Sequence, residues 1–475
     1  MLLNSFNFIT LFPFIFTLYW LIPSFRGGYR RGFLLLLSYG LYMCWNPAWA
    51  LLLLAVSSLT YIGALLMESS TSDVKRKRRL VAVITPLVFL PLIFWKYYNF
   101  ISCNLEDGLR ALGVTVGLPG LNWAVPIGIS FFTFQAAGYM FDVYFGKIKA
   151  ERSFLDYALF VAFFPQIAAG PISRAGNLLP QLKNLPAFDY TRAVQGLKCM
   201  LWGVFLKTVL ADRLGLVVDS VFNNYEFQSG GSCLMASVLY SFQIYGDFAG
   251  YSLMAVGVAK LIGIDLINNF ERPYLAASVT EFWRRWHISL STWLRDYVYI
   301  PLGGNRCSKV RGYLNILITF LVSGIWHGAN WTLVVWGAIH GLFQIIEKAL
   351  GLQKCTRGGI VRFCRICCTF VLATVAWIFF RMPTVGDAWA VICKIVGDGN
   401  WGGALDFDGG RSTLVLVLMS LGMVIAAEIM QEYAPRYSPF GCKWLPVRWG
   451  AYSGIILMIL LFGVLDAGQF IYVNF

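Results

Sequence analysis

The sequence predicts an all-α polytopic membrane protein of about ten to twelve transmembrane helices, with re-entrant and interfacial helices between them. Three observations carry that prediction. Of 475 residues, 58% are hydrophobic and only 13% charged, against about 25% charged in soluble domains. The apolar residues fall in runs close to the roughly 20 residues that cross a bilayer as a helix. Basic clusters recur between the runs, as loops on one membrane face do. No long polar linker interrupts the chain, so residues 1–475 read as a single membrane domain.

The elements follow in order. Residues 6–23 form a first apolar segment that ends at S-F-R-G-G-Y-R-R. It lacks a small-residue cleavage pattern and reads as a span rather than a removed signal. A second run covers about 32–45, and N-P-A-W separates it from a third at about 48–67. Then comes S-D-V-K-R-K-R-R, the most basic stretch of the chain. Two spans separate Arg26, Arg30 and Arg31 from Lys75–Arg79, so both loops share a face. The excess of Lys and Arg assigns that face to the cytoplasm and the N-terminus to the outside. A fourth span at about 80–100 leads to the acidic N-L-E-D-G-L-R, and a fifth at about 124–141 returns to the basic F-D-V-Y-F-G-K-I-K-A-E-R.

Residues 154–171 are apolar, but F-F-P-Q-I-A-A-G-P-I-S-R carries two prolines and is basic at both flanks. That pattern implies a re-entrant segment, tolerated where broken backbone is buried in protein. The span at about 194–220 carries Lys198, Lys207, Asp212 and Arg213, charges that must face a bundle interior or an aqueous cavity. Residues 231–264 hold Asp247 deep in an apolar run. It is a functional candidate, with a helix-to-helix hydrogen bond as the alternative.

The stretch 278–300 differs in kind. Trp283, Trp286 and Trp293 alternate with Arg284, Arg285 and Arg295. One reading is an interfacial amphipathic helix with its rings at headgroup level. The other is a basic wall for an anionic cytosolic substrate. A hairpin follows. Arg311 and Lys348 are both basic, and the 36 residues between them include the polar turn H-G-A-N-W with Asn330. Two spans need about 40 residues, so this hairpin barely reaches across. His327 lies about 24 Å from Arg311 and His340 about 12 Å from Lys348 at helical rise. Gly328 and Gly341 leave room for close backbone or ligand approach. Spans at about 361–380, 412–431 and 450–470 complete the chain, with the glycine-rich loop 397–410 outside and the basic 435–448 inside.

The chemistry is restricted. Net charge is +14, but no basic soluble module exists to bind nucleic acid, and the bilayer is the evident partner. The eleven cysteines are scattered, and Cys364, Cys367 and Cys368 lack a second ligand pair, so no metal is expected. No G-x-S-x-G or G-x-x-x-x-G-K-[ST] occurs, which leaves a serine triad and an ATP-driven pump unsupported. All three histidines, His287, His327 and His340, fall between residues 281 and 344. A neutral imidazole deep in the membrane can take a proton from a hydroxyl and make it a nucleophile. A secondary transporter remains open on the same residues.

The spelling N-F-E-R-P-Y-L-A-A-S-V-T-E-F-W-R-R-W-H-I-S-L-S-T-W-L-R-D-Y-V-Y-I-P-L-G-G-N-R, with I-W-H-G-A-N-W and I-H-G after it, resembles the membrane-bound O-acyltransferase family. Within that family it is similar to the bacterial alginate and polysaccharide O-acetylases. P-I-G-I-S-F-F-T-F-Q, F-F-P-Q-I-A-A-G-P-I-S-R, Y-G-D-F-A-G-Y-S and the C-terminal F-I-Y-V-N-F extend the likeness over nearly the whole chain, with a catalytic core at about 124–348. The resemblance implies a helical bundle in a bacterial inner membrane, with a cytosolic donor entrance and an outer acceptor entrance. It implies His327 of the W-H-G motif as the catalytic residue and His287 as a second. The donor it implies is acetyl-CoA, with no further cofactor. The acceptor is an extracytoplasmic polysaccharide, often reached through a separate periplasmic acetyltransferase. On that basis Arg284, Arg285, Arg295 and Trp283 are assigned to the donor, and Asp247, Asn330 and His340 to support. One spelling departs. Leu253 stands where relatives often carry a second carboxylate, which bears on the acceptor more than on the reaction class. A further group of relatives transfers D-alanine to teichoic acids, and W-R-R-W-H with P-L-G-G-N-R favours the polysaccharide acetylases.

Overall fold

The computed structural model describes all residues except 1, 2, 4, 24–26, 71–72, 355–357, 401–409, 435–441, 465–470 and 472–475, and for 410–412 the backbone only. Arg26, most of the glycine-rich loop 397–410, half of the basic stretch 435–448 and all but one residue of F-I-Y-V-N-F lie outside the described residues. The described residues form helices and no strands, in two compact units. One comprises Met1–Gly196 with Val258–Ile267, the other Leu197–Gly257 with Asn268–Asn474.

In the first unit α1 (Phe6–Leu21), α2 (Gly27–Met43), α3 (Pro47–Ser69) and α4 (Val74–Leu92) follow the apolar runs. Side-chain oxygens of Ser5, Asn46 and Asp73 accept first-turn amides of α1, α3 and α4, satisfying donors that a helix start leaves without partners. A π-helical turn, Ile93–Tyr97, joins α4 to α5 (Tyr98–Ala111); α6 (Ile129–Tyr144), α7 (Phe154–Ala162) and α8 (Ala175–Lys183) follow. Between α7 and α8 the two prolines leave irregular backbone that is buried, as the sequence implied. Its polar groups pair internally: Gly170 N–H donates to Gln166 O at 2.8 Å and Ser173 Oγ to Gln166 Oε1 at 2.7 Å. Gly128, at φ +75°, lies so close that a Cβ there would stand 2.0 Å from Ile167 O. Only glycine accepts both that conformation and that approach.

Helix α9 (Tyr190–Val204) leads into the second unit, where a π-helical turn, Phe205–Ala211, precedes α10 (Asp212–Phe222) and the long α11 (Gly230–Ile262). Then come α12 (Val279–Arg285), α13 (Ile288–Leu294), a π-helical turn Arg295–Tyr299, α14 (Lys309–His327) and α15 (Trp331–Ala349). The unit ends with α16 (Gly359–Arg381), α17 (Val385–Gly397), α18 (Gly410–Tyr433) and α19 (Leu445–Phe462). Among the described residues five helical stretches are long and apolar enough to cross a membrane by length and composition alone: Pro47–Ser69, Val74–Ala111, Gly359–Arg381, Thr413–Tyr433 and Leu445–Phe462. Further helices have the length but bury polar groups. Helix α11, at 33 residues about 50 Å long, carries the buried Gln243 and Asp247 at its middle.

Candidate active site

The site is built on one bent segment and one hairpin, both in the second unit. Ser278 caps α12 by accepting from Glu281 N, and that helix ends at Arg285. The chain then turns through His287 at φ 43°, ψ 53°, a left-handed conformation that costs a non-glycine residue roughly 1–2 kcal/mol. Long-range hydrogen bonds hold the corner. Ile288 N–H donates to Asn269 O at 2.9 Å and Ser289 N–H to Asn269 Oδ1 at 3.1 Å. The imidazole of His287 is fully buried, edge-on to Phe248 at 4.6 Å between ring centroids.

The hairpin is α14 and α15, packed through glycines. A Cβ on Gly324 would stand 2.3 Å from Leu333 O, and one on Gly337 would stand 2.3 Å from Phe320 O. Small residues allow helix backbones to approach in this way inside membranes. His327 is the last residue of α14, so the helix runs unbroken from Arg311 to His327, about 24 Å at helical rise. It is 1% exposed. Its ring lies 6.4 Å from that of His287, 4.9 Å from Trp336 and 5.4 Å from Phe380.

A cavity of about 780 Å³ lies beside this pair: Ile288, next to His287, and Ser323, one turn before His327, line it, and neither histidine does. Arg284, Arg295, Lys309 and Lys348 line it, no carboxylate among the described residues does, and the buried Ser323 lines it too. Ser323 and His327 are four apart on α14 and share a helix face. Trp283 forms part of the wall, and its indole N–H donates to His340 Nδ1 at 3.2 Å. With Nδ1 accepting, a neutral His340 carries its hydrogen on Nε2. Trp336 packs against both histidines, 4.9 Å from His327 and 5.0 Å from His340.

Several residues sit elsewhere than the sequence suggested. The stretch 278–300 is not one interfacial helix with rings at headgroup level. It breaks at His287, and Trp283, Trp286 and Trp293 are buried in the unit's core. Arg285 does not line the cavity. It pairs with Glu281 at 2.7 Å and Glu432 at 2.9 Å, and Arg272 reaches the same Glu432 at 2.6 Å. Asn330 caps α15 by accepting from Thr332 N, and its amide donates to Pro383 O at 2.9 Å. Asp247 lies 2.5 Å from Lys207, which also holds Asp212 at 2.7 Å. Asp247 Oδ2 accepts from Ile471 N at 2.8 Å. Removing the central cation from such a buried cluster typically costs about 3–5 kcal/mol. Lys207→Met is therefore expected to lower the unfolding midpoint in detergent sharply, with Asp247→Leu added to it restoring part of the loss. An unchanged midpoint for Lys207→Met would sink that reading.

Sequence reasoning passed over Lys309, Lys348, Ser323 and Asn269. The two lysines were visible as basic flanks of the hairpin, and Ser323 could have been found by its spacing of four from His327. Asn269 gave no local signal.

The sequence profile of the membrane-bound O-acyltransferase family matches residues 147–382, which include the corner, the hairpin and every residue that lines the cavity. A probable alginate O-acetylase of Azotobacter vinelandii is 37% identical over 398 residues, 84% of this chain and 78% of that protein. A peptidoglycan O-acetyltransferase of Helicobacter pylori is 34% identical over 429 residues, covering 84% and 80%. A teichoic acid D-alanyltransferase of Streptococcus thermophilus is 32% identical over 283 residues, covering 57% and 64%. A buried histidine pair one residue from Ile288 and one helical turn from Ser323 of a basic cavity, in a polytopic helical chain with these relatives, makes this protein an O-acyltransferase that belongs to the membrane-bound O-acyltransferase family.

Proposed function

We propose that the chain moves acetyl groups from cytosolic acetyl-CoA to a hydroxyl of an extracytoplasmic polysaccharide, with His327 as the base. The observation that carries this reading is the cavity's charge. Among the described residues four cations and no carboxylate line it, which suits a donor bearing several phosphates. From Lys309 to Ser323 the cavity follows α14 for about 21 Å at helical rise, a span suited to a donor with a long arm and its thioester at the inner end. Trp283, fixed by His340, shapes the passage.

The chemistry balances without a metal. Neutral His327 takes the proton of the acceptor hydroxyl as its oxygen attacks the thioester carbonyl. The carbon–sulfur bond then breaks, and the departing thiolate recovers the proton from the imidazolium. His287, close by and held by Asn269, orients the reacting groups. The names of the relatives, acting on alginate and peptidoglycan, support a polysaccharide acceptor outside a bacterial inner membrane, with a periplasmic acetyltransferase as the relay. The basic loops support an N-terminus outside.

Purified protein in liposomes, given labelled acetyl-CoA on the side of Lys309 and Lys348 and, on the other, a polysaccharide with a periplasmic extract that supplies the relay acetyltransferase, is expected to acetylate the polymer. No labelled polymer under these conditions would overturn this reading. Removing phosphate contacts weakens donor binding more than the chemical step. Arg284→Ala with Lys348→Ala is therefore expected to raise the KM for acetyl-CoA by roughly tenfold to a hundredfold with kcat little changed, measured by initial rates. A fall in kcat at constant KM contradicts the assignment of these cations to the donor.

A further inference from the structure

A second cavity, of about 360 Å³, lies in the same unit and shares no lining residue with the first. Its charge is different in kind. Lys198, Arg272, Glu271 and Glu428 all line it, together with the apolar Trp202, Leu253 and Val256. Two of its lining groups, Asn269 Nδ2 and Ser252 Oγ, have no hydrogen-bond partner among the described residues, although Asn269 is 1% and Ser252 2% exposed. Buried polar atoms of this kind are costly unless something pairs with them. A pure anion in this space would meet two carboxylates, and a pure cation two basic side chains. A zwitterion with an apolar tail meets complementary partners throughout.

We infer that this cavity holds the headgroup of a phosphatidylethanolamine lipid. The phosphate accepts from Lys198, Arg272, Asn269 Nδ2 and Ser252 Oγ. The ammonium group donates to the carboxylate of Glu428, which already accepts the Tyr245 hydroxyl. The volume admits a headgroup and not the acyl chains. Those run out along α18, where Ile425 and Ile429, on either side of Glu428 in sequence, are exposed. Because Asn269 also holds the amides of Ile288 and Ser289, lipid in this cavity stiffens the corner that carries His287.

The test uses the full-length protein, delipidated in detergent and titrated with phosphatidylethanolamine, phosphatidylglycerol or inorganic phosphate. Thermal midpoint and lipid retention by native mass spectrometry are the readouts. Phosphatidylethanolamine is expected to stay bound and raise the midpoint, and the other two are not. Ser252→Phe, which fills the cavity, and Lys198→Ala, which removes one phosphate partner, are each expected to weaken retention by roughly tenfold or more. Lys198→Ala serves as the test if Ser252→Phe does not fold. Equal retention of phosphatidylglycerol, meaning a non-selective lipid contact, overturns the inference. So does an equal midpoint rise with inorganic phosphate, or retention unchanged in Lys198→Ala.

Discussion

Replacing His327 by alanine is expected to lower the transfer rate by about 10²–10⁴-fold, the usual contribution of a positioned base. Protein that folds and inserts should still bind donor, because the cations that line the cavity are untouched. The ring is packed among Trp326, Trp336 and Phe380, so alanine also leaves a hole. His327→Gln separates the two effects. It keeps most of the volume and a hydrogen-bonding end but cannot take a proton at neutral pH, so it should lose as much rate with less loss of stability. Initial rates in liposomes, with thermal midpoints on the same samples, decide the matter. A His327→Gln enzyme that retains normal kcat would falsify the assignment of His327 as the base.

A comparably large effect is expected far from any proton. In Gly337→Leu the new Cβ falls 2.3 Å from the Phe320 carbonyl oxygen. That atom is backbone inside α14 and cannot swing aside, so α14 and α15 must separate. Reacting groups misplaced by about 1 Å lose on the order of 100-fold in rate, and His327 stands at the end of the displaced helix. The expected result is a loss of folded protein on size exclusion, or a residual rate at or below about 1% of normal. Gly312→Ala is the control. Its nearest neighbour is the flexible end of Lys348, 3.5 Å from the new Cβ, and its yield should be normal. A normal yield and rate in Gly337→Leu would show that this glycine contact does not set the hairpin.

The contrast between Arg284 and Arg285 marks where sequence reasoning stops. Adjacent residues on a helix point about 100° apart, so one of the two had to turn away from any cavity beside α12. Which one depends on Glu432, 147 residues further along the chain. The same holds at His287. W-R-R-W-H-I-S-L-S has the pattern of one amphipathic helix, and the break in it is held by Asn269, 18 residues earlier.

What the sequence by itself determined was local and one-dimensional. Apolar run lengths establish a helical membrane chain, prolines mark the broken segment after α7, and residue counting puts His327 at the tip of the hairpin, because helical rise converts number into depth. The tertiary structure alone decided which cations line the cavity, which tryptophans are walls rather than anchors, and which asparagine holds the His287 corner. Those outcomes rest on contacts between residues distant in the chain, and local pattern carries no information about a partner that only folding brings near.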